Sequence, residues 1–164
     1  MILELKKLFL DEVNSIKKDY KLDLSGVKFD GCYPFLEPVN VKVKINNVCG
    51  VIKLIADVDF NYFHLCDRCM ADMVFRLQYK FNHILVLETN ENLDDDYIRV
   101  DEYKLDLDNL IKSDLLLELP SKILCKDDCK GICPECGKNL NDGSCDCAMH
   151  YVDSRLEVLK NLLD

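Results

Sequence analysis

The chain has 164 residues and a mass of 19.0 kDa, enough for one domain with a small appended module but not for a second enzyme-sized domain. Hydrophobic residues make up 49% of it and charged residues 31%, so it can form a sizeable core. No apolar run approaches the roughly 18–20 residues that span a bilayer, and Glu4, Lys6 and Lys7 interrupt the apolar N-terminus. We therefore expect a cytoplasmic, unsecreted protein without a membrane partner.

The negative charge is concentrated in one segment. The chain has 30 acidic and 21 basic residues, a formal charge of −9, and the segment from Glu88 to Glu118 alone carries −8. This balance argues against broad attraction to a phosphate backbone but leaves room for a local RNA-binding patch. The segment is either a solvated loop and helix face or a docking surface for a basic partner. The candidate docking residues are Asp94, Asp95, Asp96, Asp101 and Glu102.

The first 30 residues allow two interpretations. Apolar residues from Ile2 to Ile16 recur at helical spacing, whereas the stretch LDLSGVKF, residues 22–29, is typical of a strand. After them, strict alternation of apolar and polar residues predicts three strands, over residues 39–46, 52–62 and 73–87. Asn46, Asn47 and Gly50 provide the turn between the first two.

Short connections between these strands favour an antiparallel β-meander or a partly curled barrel, because parallel pairing needs crossovers that the chain lacks. A helix is predicted after the acidic segment, with Asp106 or Asp108 as its N-cap and Pro120 as its stop. A final helix is predicted at the C-terminus, with Asp153 or Ser154 as its N-cap. The fold class is therefore α+β, with a β-rich core domain over 1–120, a cysteine-rich, zinc-ribbon-like segment over 121–150 and a C-terminal helix over 151–164.

Eight of the ten cysteines are clustered, and with no signal peptide such clusters favour metal over disulfides. Zinc takes four ligands in a tetrahedron, so eight thiolates suffice for two sites. The preferred division is Cys66, Cys69, Cys125 and Cys129 in one site and Cys133, Cys136, Cys145 and Cys147 in the other. The alternative exchanges the Cys125 pair with the Cys133 pair. Because all-cysteine shells leave no position for water, two structural zinc ions are expected per chain rather than a catalytic metal.

The remaining histidines and cysteines have simpler interpretations. We expect His64 and His150 to be surface or hydrogen-bonded residues, and His83 to be a core residue with its polar atoms satisfied. Cys32 and Cys49 stand alone and are expected to be small buried side chains.

No enzyme motif stands out. The spacing C-x3-C-x2-C from Cys129 to Cys136 is that of radical S-adenosylmethionine enzymes, but only 28 residues follow it, too few for their barrel. Neither a phosphate-binding glycine loop nor a nucleophile or zinc-hydrolase motif occurs. The sequence therefore favours a protein that is not an enzyme.

The order of motifs resembles one family. A C-D-R-C pair follows a long alternating strand, then come an acidic loop, a helix ending in Leu-Pro and the string LCKDDCKGICPECGKNLNDGSCDC. This arrangement is similar, over essentially the whole chain, to the YceD family of bacterial proteins, described as large ribosomal RNA subunit accumulation proteins. The resemblance implies a role in 23S rRNA accumulation, processing or assembly. Some relatives resemble this chain at the first C-x2-C but lack the later ribbon, which implies that the two metal sites are separable. Cys66 and Cys69 then need partners outside the ribbon, and the positions of Cys125 and Cys129 supply them, which supports the division above.

Three functions are compatible with these features to different degrees. The first is a zinc-stabilised, non-enzymatic factor in large-subunit biogenesis, whose partner is a large-subunit ribosomal protein, a pre-ribosomal particle or 23S rRNA. The second is a thiol redox or zinc-transfer protein with labile cysteines. The third, a nuclease, has no convergent carboxylate site to support it. For the first, candidate phosphate contacts are Arg68, Arg76, Lys122, Lys126, Lys130 and Lys138.

Overall fold

The computed structural model describes residues 1–87 and 97–147. Asp94, Asp95, Asp96, His150 and the final helix predicted over 151–164 lie outside the described residues. The chain divides into two compact units. The sheet unit comprises Met1–His64 and Asp72–Ile123, and the cysteine unit comprises Leu65–Ala71 and the residues from Leu124 onward. The cysteine unit thus includes the first C-x2-C pair, which the sequence analysis assigned to the core domain.

Seven strands and two helices occur in the described residues. They are β1 (Ile2–Glu4), α1 (Lys6–Phe9), β2 (Ser15–Leu22), β3 (Val39–Val48), β4 (Val51–Leu65), β5 (Asp72–Leu87), β6 (Tyr97–Val100), β7 (Lys104–Asp106) and α2 (Leu107–Glu118). Strands β2 to β6 form one open sheet in the order β2-β3-β4-β5-β6, and β1 pairs with β7 in a small antiparallel sheet. The three predicted strands and the α+β class are confirmed. Neither described helix is long and apolar enough to cross a membrane.

The hairpin between β3 and β4 shows why Cys49 is not a buried side chain. Val48 pairs with Val51, so Cys49 and Gly50 form a two-residue loop, with φ of 53° and 81°. Such loops need a positive φ at both positions because their twist then matches that of the strands. Cys49 is therefore exposed at the hairpin tip, and the sequence-based expectation of a buried side chain was wrong. Cys32 is partly exposed beside a similar turn.

The pairing of β6 corrects the all-antiparallel expectation. Strands β2, β3 and β4 pair antiparallel in sequence order, as a meander requires, but β6 pairs with β5 in parallel. This pairing is only four residues long, from Ile84 opposite Tyr97 to Leu87 opposite Val100. Nine residues separate β5 from β6, and a chain of that length can reach about 30 Å, more than the return over such a short pairing requires.

The core lies on one face of the large sheet, where the alternating apolar residues of β3 and β4 are buried. Leu107, Ile111 and Leu115 of α2 belong to this core. The carboxylate of Asp106 accepts a hydrogen bond from the backbone N–H of Asn109, which selects Asp106 as the N-cap. The first 30 residues, which the sequence leaves ambiguous, contain a helix of four residues within the apolar stretch and then β2, which ends where the stretch LDLSGVKF begins.

Candidate metal centres

The first group of thiols lies at the loop after β4. The backbone N–H of Cys66 donates to the carbonyl of Ala71 and that of Met70 donates to Cys66, so the C-x2-C pair sits in a closed turn. Cys125 and Cys129 complete the group, with Sγ–Sγ distances of 3.7 Å from Cys66 to Cys129 and 3.5 Å from Cys69 to Cys125. All four sulfur atoms lie within 4.8 Å of one another.

Backbone donors favour the charged form of some of these thiols. Burial opposes ionisation of Cys66, but N–H groups of Cys69, Arg68 and Cys125 outweigh burial and lower the pKa of Cys66 to about 6. A hydrogen bond from the Asn141 amide likewise lowers the pKa of Cys129. These donors stabilise the thiolate, which is the form that binds a metal.

The second group lies wholly within the C-terminal cysteine-rich segment. The sulfur atoms of Cys133, Cys136, Cys145 and Cys147 lie within 4.8 Å of one another. The C-P-E-C-G turn positions the first two, because the N–H of Gly137 donates to the carbonyl of Cys133 and Gly137 has a φ of 72°. N–H groups of Cys136 and Glu135 lower the pKa of Cys133 to about 7.

Other thiols of the two groups resist ionisation. The pKa of Cys125 rises to about 12, chiefly because its thiol hydrogen-bonds to Cys129, and the pKa of Cys147 rises to about 12, chiefly because its thiol hydrogen-bonds to Cys136. Four thiolates this close repel one another, so without a cation some must keep their protons. A divalent cation removes that repulsion and lets the thiols deprotonate on binding.

The spacing of the sulfur atoms fits a tetrahedral thiolate site. Four sulfurs at about 2.3 Å from a central ion lie about 3.8 Å from each other, near the 3.5 and 3.7 Å found in the first group. Each of the two groups can therefore hold a metal ion. The structure brings the eight cysteines together in the division that the sequence analysis preferred, and not in the alternative that exchanges the Cys125 and Cys133 pairs.

Sequence reasoning missed three residues around the first group. Asn141 donates to the sulfur of Cys129 and accepts from the N–H of Lys130. Arg68 donates through Nη1 to the carbonyl of Cys129 at 2.7 Å, linking the C-D-R-C turn to the later pair. A Cβ on Gly131 would lie 3.0 Å from the carbonyl oxygen of Arg68. No local sequence pattern indicates these residues, because each contacts a residue that is distant in sequence or belongs to a neighbouring turn.

The six candidate phosphate contacts fall in both units. Arg68, Lys126, Lys130 and Lys138 belong to the cysteine unit, and Arg76 and Lys122 to the sheet unit. Four of them are engaged within the protein. Arg68 donates to the carbonyl of Cys129, and the ammonium of Lys126 lies 4.0 Å from the carboxylate of Asp128. The ammonium of Lys138 donates to the carbonyl of Ser144, and Arg76 donates twice to the carboxylate of Asp59.

The two described histidines are buried or hydrogen-bonded, and the two described acidic candidates are exposed. The ring of His64 is buried and stacks on Tyr62, whereas the imidazole of His83 hydrogen-bonds to Asp114 at 2.7 Å, which confirms His83 as a satisfied residue. Asp101 and Glu102 are exposed, and Glu102 lies 3.4 Å from Lys104.

Comparison with known proteins gives several relatives. An uncharacterized protein, YlbN of Bacillus subtilis, is 24% identical over 130 residues, which cover 78% of this chain and 76% of that protein. An uncharacterized protein of Mycobacterium tuberculosis is 33% identical over 79 residues, 46% of this chain and 38% of its own. In Arabidopsis thaliana, the protein named "Large ribosomal RNA subunit accumulation protein YCED homolog 1, chloroplastic" is 36% identical over 59 residues, 36% of this chain and 18% of its own. No solved structure is significantly similar to the chain.

The fold and the thiol groups define an open-sheet protein with two four-cysteine centres, each able to hold a metal ion. The model of the YceD family, described as "Large ribosomal RNA subunit accumulation protein YceD", matches residues 56–163, and the chain belongs to this family. The match begins within β4 and includes both cysteine groups. The resemblance seen in the sequence is thereby confirmed.

Proposed function

We propose that the protein is a zinc-stabilised, non-enzymatic factor in biogenesis of the large ribosomal subunit, which supports accumulation or processing of 23S rRNA in the cytoplasm. The observation that carries this proposal is membership of a family described by large ribosomal RNA subunit accumulation, together with two complete sets of thiol ligands. Four sulfurs fill a tetrahedral shell and leave no place for a reactive water, which supports a structural metal.

The identity of the metal is tested on gently purified protein by elemental analysis with an assay of acid-labile sulfide. Two zinc ions per chain are expected, falling to one when Cys69→Ser disrupts the first group or Cys136→Ser the second. Cys49→Ser, at the exposed hairpin tip, is the matched control and should leave two. Iron with sulfide, or zinc that remains at two in both variants, would contradict the assignment.

The cellular role is tested by deleting the gene and measuring the ratio of 23S to 16S rRNA. Deletion should lower this ratio, and a plasmid carrying the wild type or the Cys49→Ser variant should restore it. Variants in either cysteine group should restore it less well if the metal-stabilised fold is needed. An unchanged ratio in the deletion strain would overturn the proposed role, whatever the metal content.

A basic ribosomal protein is the proposed partner of the acidic segment. Asp101 and Glu102 are exposed there, and a field of this sign would speed the encounter with a cationic surface. Asp101→Asn with Glu102→Gln should weaken capture of a large-subunit ribosomal protein, and the loss should shrink at high salt. The same two changes at exposed Asp11 and Glu12 serve as a control of equal charge. Equal affinity in all three proteins would refute this partner.

A further inference from the structure

The outward face of strands β2 to β5 is basic although the chain as a whole is acidic. Residues that alternate with the buried positions point away from the core, and the strand register places them side by side. On this face seven basic residues oppose four acidic ones. Six of the basic residues are exposed lysines, here named the lysine face: Lys17, Lys21, Lys42, Lys44, Lys53 and Lys80. The acidic excess of the chain therefore resides elsewhere.

The ammonium groups of the lysine face are free to bind a ligand. Among residues 1–87 and 97–147, none of the six lysines forms an ion pair or a side-chain hydrogen bond. Arg76, the seventh basic residue of the face, does form an ion pair: it donates to the carboxylate of Asp59 at 2.9 and 3.2 Å. Gln78 donates to the same carboxylate. One of the acidic groups on the face is thus already neutralised by its neighbours.

One pair in the lysine face is unfavourable for the fold, although Lys42 lies opposite Asp19 of β2 and Asp57 of β4. Lys17 of β2 lies directly opposite Lys44 of β3, and the next residue across, on β4, is Ile55. Like charges directly opposite on neighbouring strands destabilise a sheet. Lysines on an edge strand can serve to prevent sheet-to-sheet aggregation. That role does not cover Lys42, Lys44 or Lys53, which lie on the interior strands β3 and β4.

The same face has a polar, open shape suited to a backbone rather than to a small apolar ligand. An open depression of about 630 Å³ runs across β3, β4 and β5. The side chains that point outward along it are polar or charged: the basic Lys42, Arg76 and Lys80, the acidic Asp57 and Asp59, and the amides Asn40 and Gln78. Its aromatic lining residue, Tyr79, packs against the hydrophobic core, and RNA helices are bound through phosphates and 2′-hydroxyls rather than by base stacking.

From this charge pattern we propose that the lysine face binds the phosphate backbone of double-helical RNA without reading its sequence. The inference rests on the proposed function, which brings the protein to ribosomal RNA. The acidic excess does not prevent such binding, because screening acts over about 8 Å at physiological salt. Four strands span about 14 Å, so acidic groups that lie a full face width or more from a bound phosphate are beyond this screening length.

The test measures binding of a fluorescein-labelled 20-base-pair RNA duplex to the zinc-loaded full chain by fluorescence anisotropy across a salt series. Each lysine–phosphate contact contributes about 0.7–0.9 to the slope of log affinity against log salt. The triple variant Lys17→Gln, Lys42→Gln and Lys44→Gln should therefore lower the slope by about 2 and weaken binding at least about tenfold at low salt. Its melting temperature should stay close to that of the wild type, because the like-charge pair of Lys17 and Lys44 is removed together with the opposite-charge pairs of Lys42 with Asp19 and Asp57.

The matched control removes three exposed lysines that lie off this face, Lys18, Lys28 and Lys112, by the same change to Gln. Its net charge equals that of the triple variant, so RNA affinity within about twofold of wild type is expected. Equal losses in both variants, no loss in either, or no binding by the wild type would overturn the lysine face as an RNA site. Displacement by polyglutamate but not by unlabelled duplex would overturn it in favour of an acidic protein partner.

The inference and the proposed function fail in different ways. A deletion strain with a normal 23S to 16S ratio refutes the proposed function. A deletion strain with a lowered ratio that the triple lysine variant restores in full supports the function and refutes the lysine face. Partial restoration by the triple variant with full restoration by the control variant supports both.

Discussion

The cysteine unit has almost no apolar core of its own. In its described part, residues 65–71 and 124–147, every buried hydrophobic side chain is a cysteine: Cys66, Cys69, Cys129 and Cys133. The unit has 48 residues, close to the size of about 40 residues below which a chain usually needs a metal, a disulfide or a partner to fold. We therefore predict that removing the metal unfolds the cysteine unit and leaves the sheet unit folded.

The size of the effect follows from the ligand sets. Structural zinc contributes an apparent free energy of about 10–16 kcal/mol per site in small zinc domains. The whole stability of an ordinary domain is about 5–15 kcal/mol. Loss of one metal ion therefore removes a free energy comparable to the whole stability of an ordinary domain. Loss of both leaves the cysteine unit without any interaction of comparable size. The sheet unit keeps the aliphatic cluster formed by β3, β4 and α2 and loses none of it.

Hydrogen exchange measured by mass spectrometry resolves the two units. The holoprotein is compared with protein refolded in chelator and reductant, after elemental analysis shows that the metal is gone. Amides of residues 124–147 should exchange at the rate of an unfolded chain, while those of β3 and β4 stay protected. Zinc added back should restore the protection, and the Cys49→Ser variant should behave as the wild type.

Retained protection over residues 124–147 in metal-free protein would refute this reasoning, since it would show that hydrogen bonds such as those of Asn141 and Arg68 hold the unit without a metal. Loss of protection in β3 and β4 as well would refute the independence of the sheet unit.

Three further predictions concern single contacts. Gly131→Ala should lower the urea midpoint for the cysteine unit by more than Gly137→Ala, because both need a positive φ but only Gly131 meets a carbonyl at 3.0 Å; equal midpoints contradict this. A double-mutant cycle of His83→Ala with Asp114→Ala should show a coupling of about 1–3 kcal/mol in urea unfolding, and additive losses would contradict it. Hydrogen bonds from Gln78 and Arg76 lower the pKa of Asp59, so the stability that its carboxylate adds is present above the unfolded pKa of about 3.9 and is lost as pH falls through the folded pKa. The wild type should therefore be more stable than Asp59→Asn by a smaller margin at about pH 3 than at about pH 7. Hydrogen exchange of β4 in the two proteins measures this margin.

Local patterns predicted the regular elements well where a single face is buried. Val39, Val41, Val43 and Ile45 alternate with polar residues, and a period of two over such a length fits only a strand with one buried face. The same reasoning found β4, β5 and α2. Periodicity left the first 30 residues ambiguous. The helix α1 has only four residues, too few for a helical repeat, and β2 has a single buried residue, so its alternation is weak.

The position of Cys49 shows a second limit. Its residue type suggested burial, but the register of β3 against β4 places it in a two-residue turn. Turn geometry depends on which residues of the two strands pair, and this pairing is a property of the hairpin as a whole.

By itself the sequence determined the three long strands β3, β4 and β5, the helix α2 and the clustering of eight cysteines, and it favoured one division of them, because these depend on spacing along the chain. Only the tertiary structure decided that Asn141 and Arg68 support the first thiol group, that β6 pairs in parallel with β5, and that lysines from separate strands form one basic face. Each of these depends on contacts between residues distant in sequence, and such contacts arise from strand register and loop closure, which no local periodicity records.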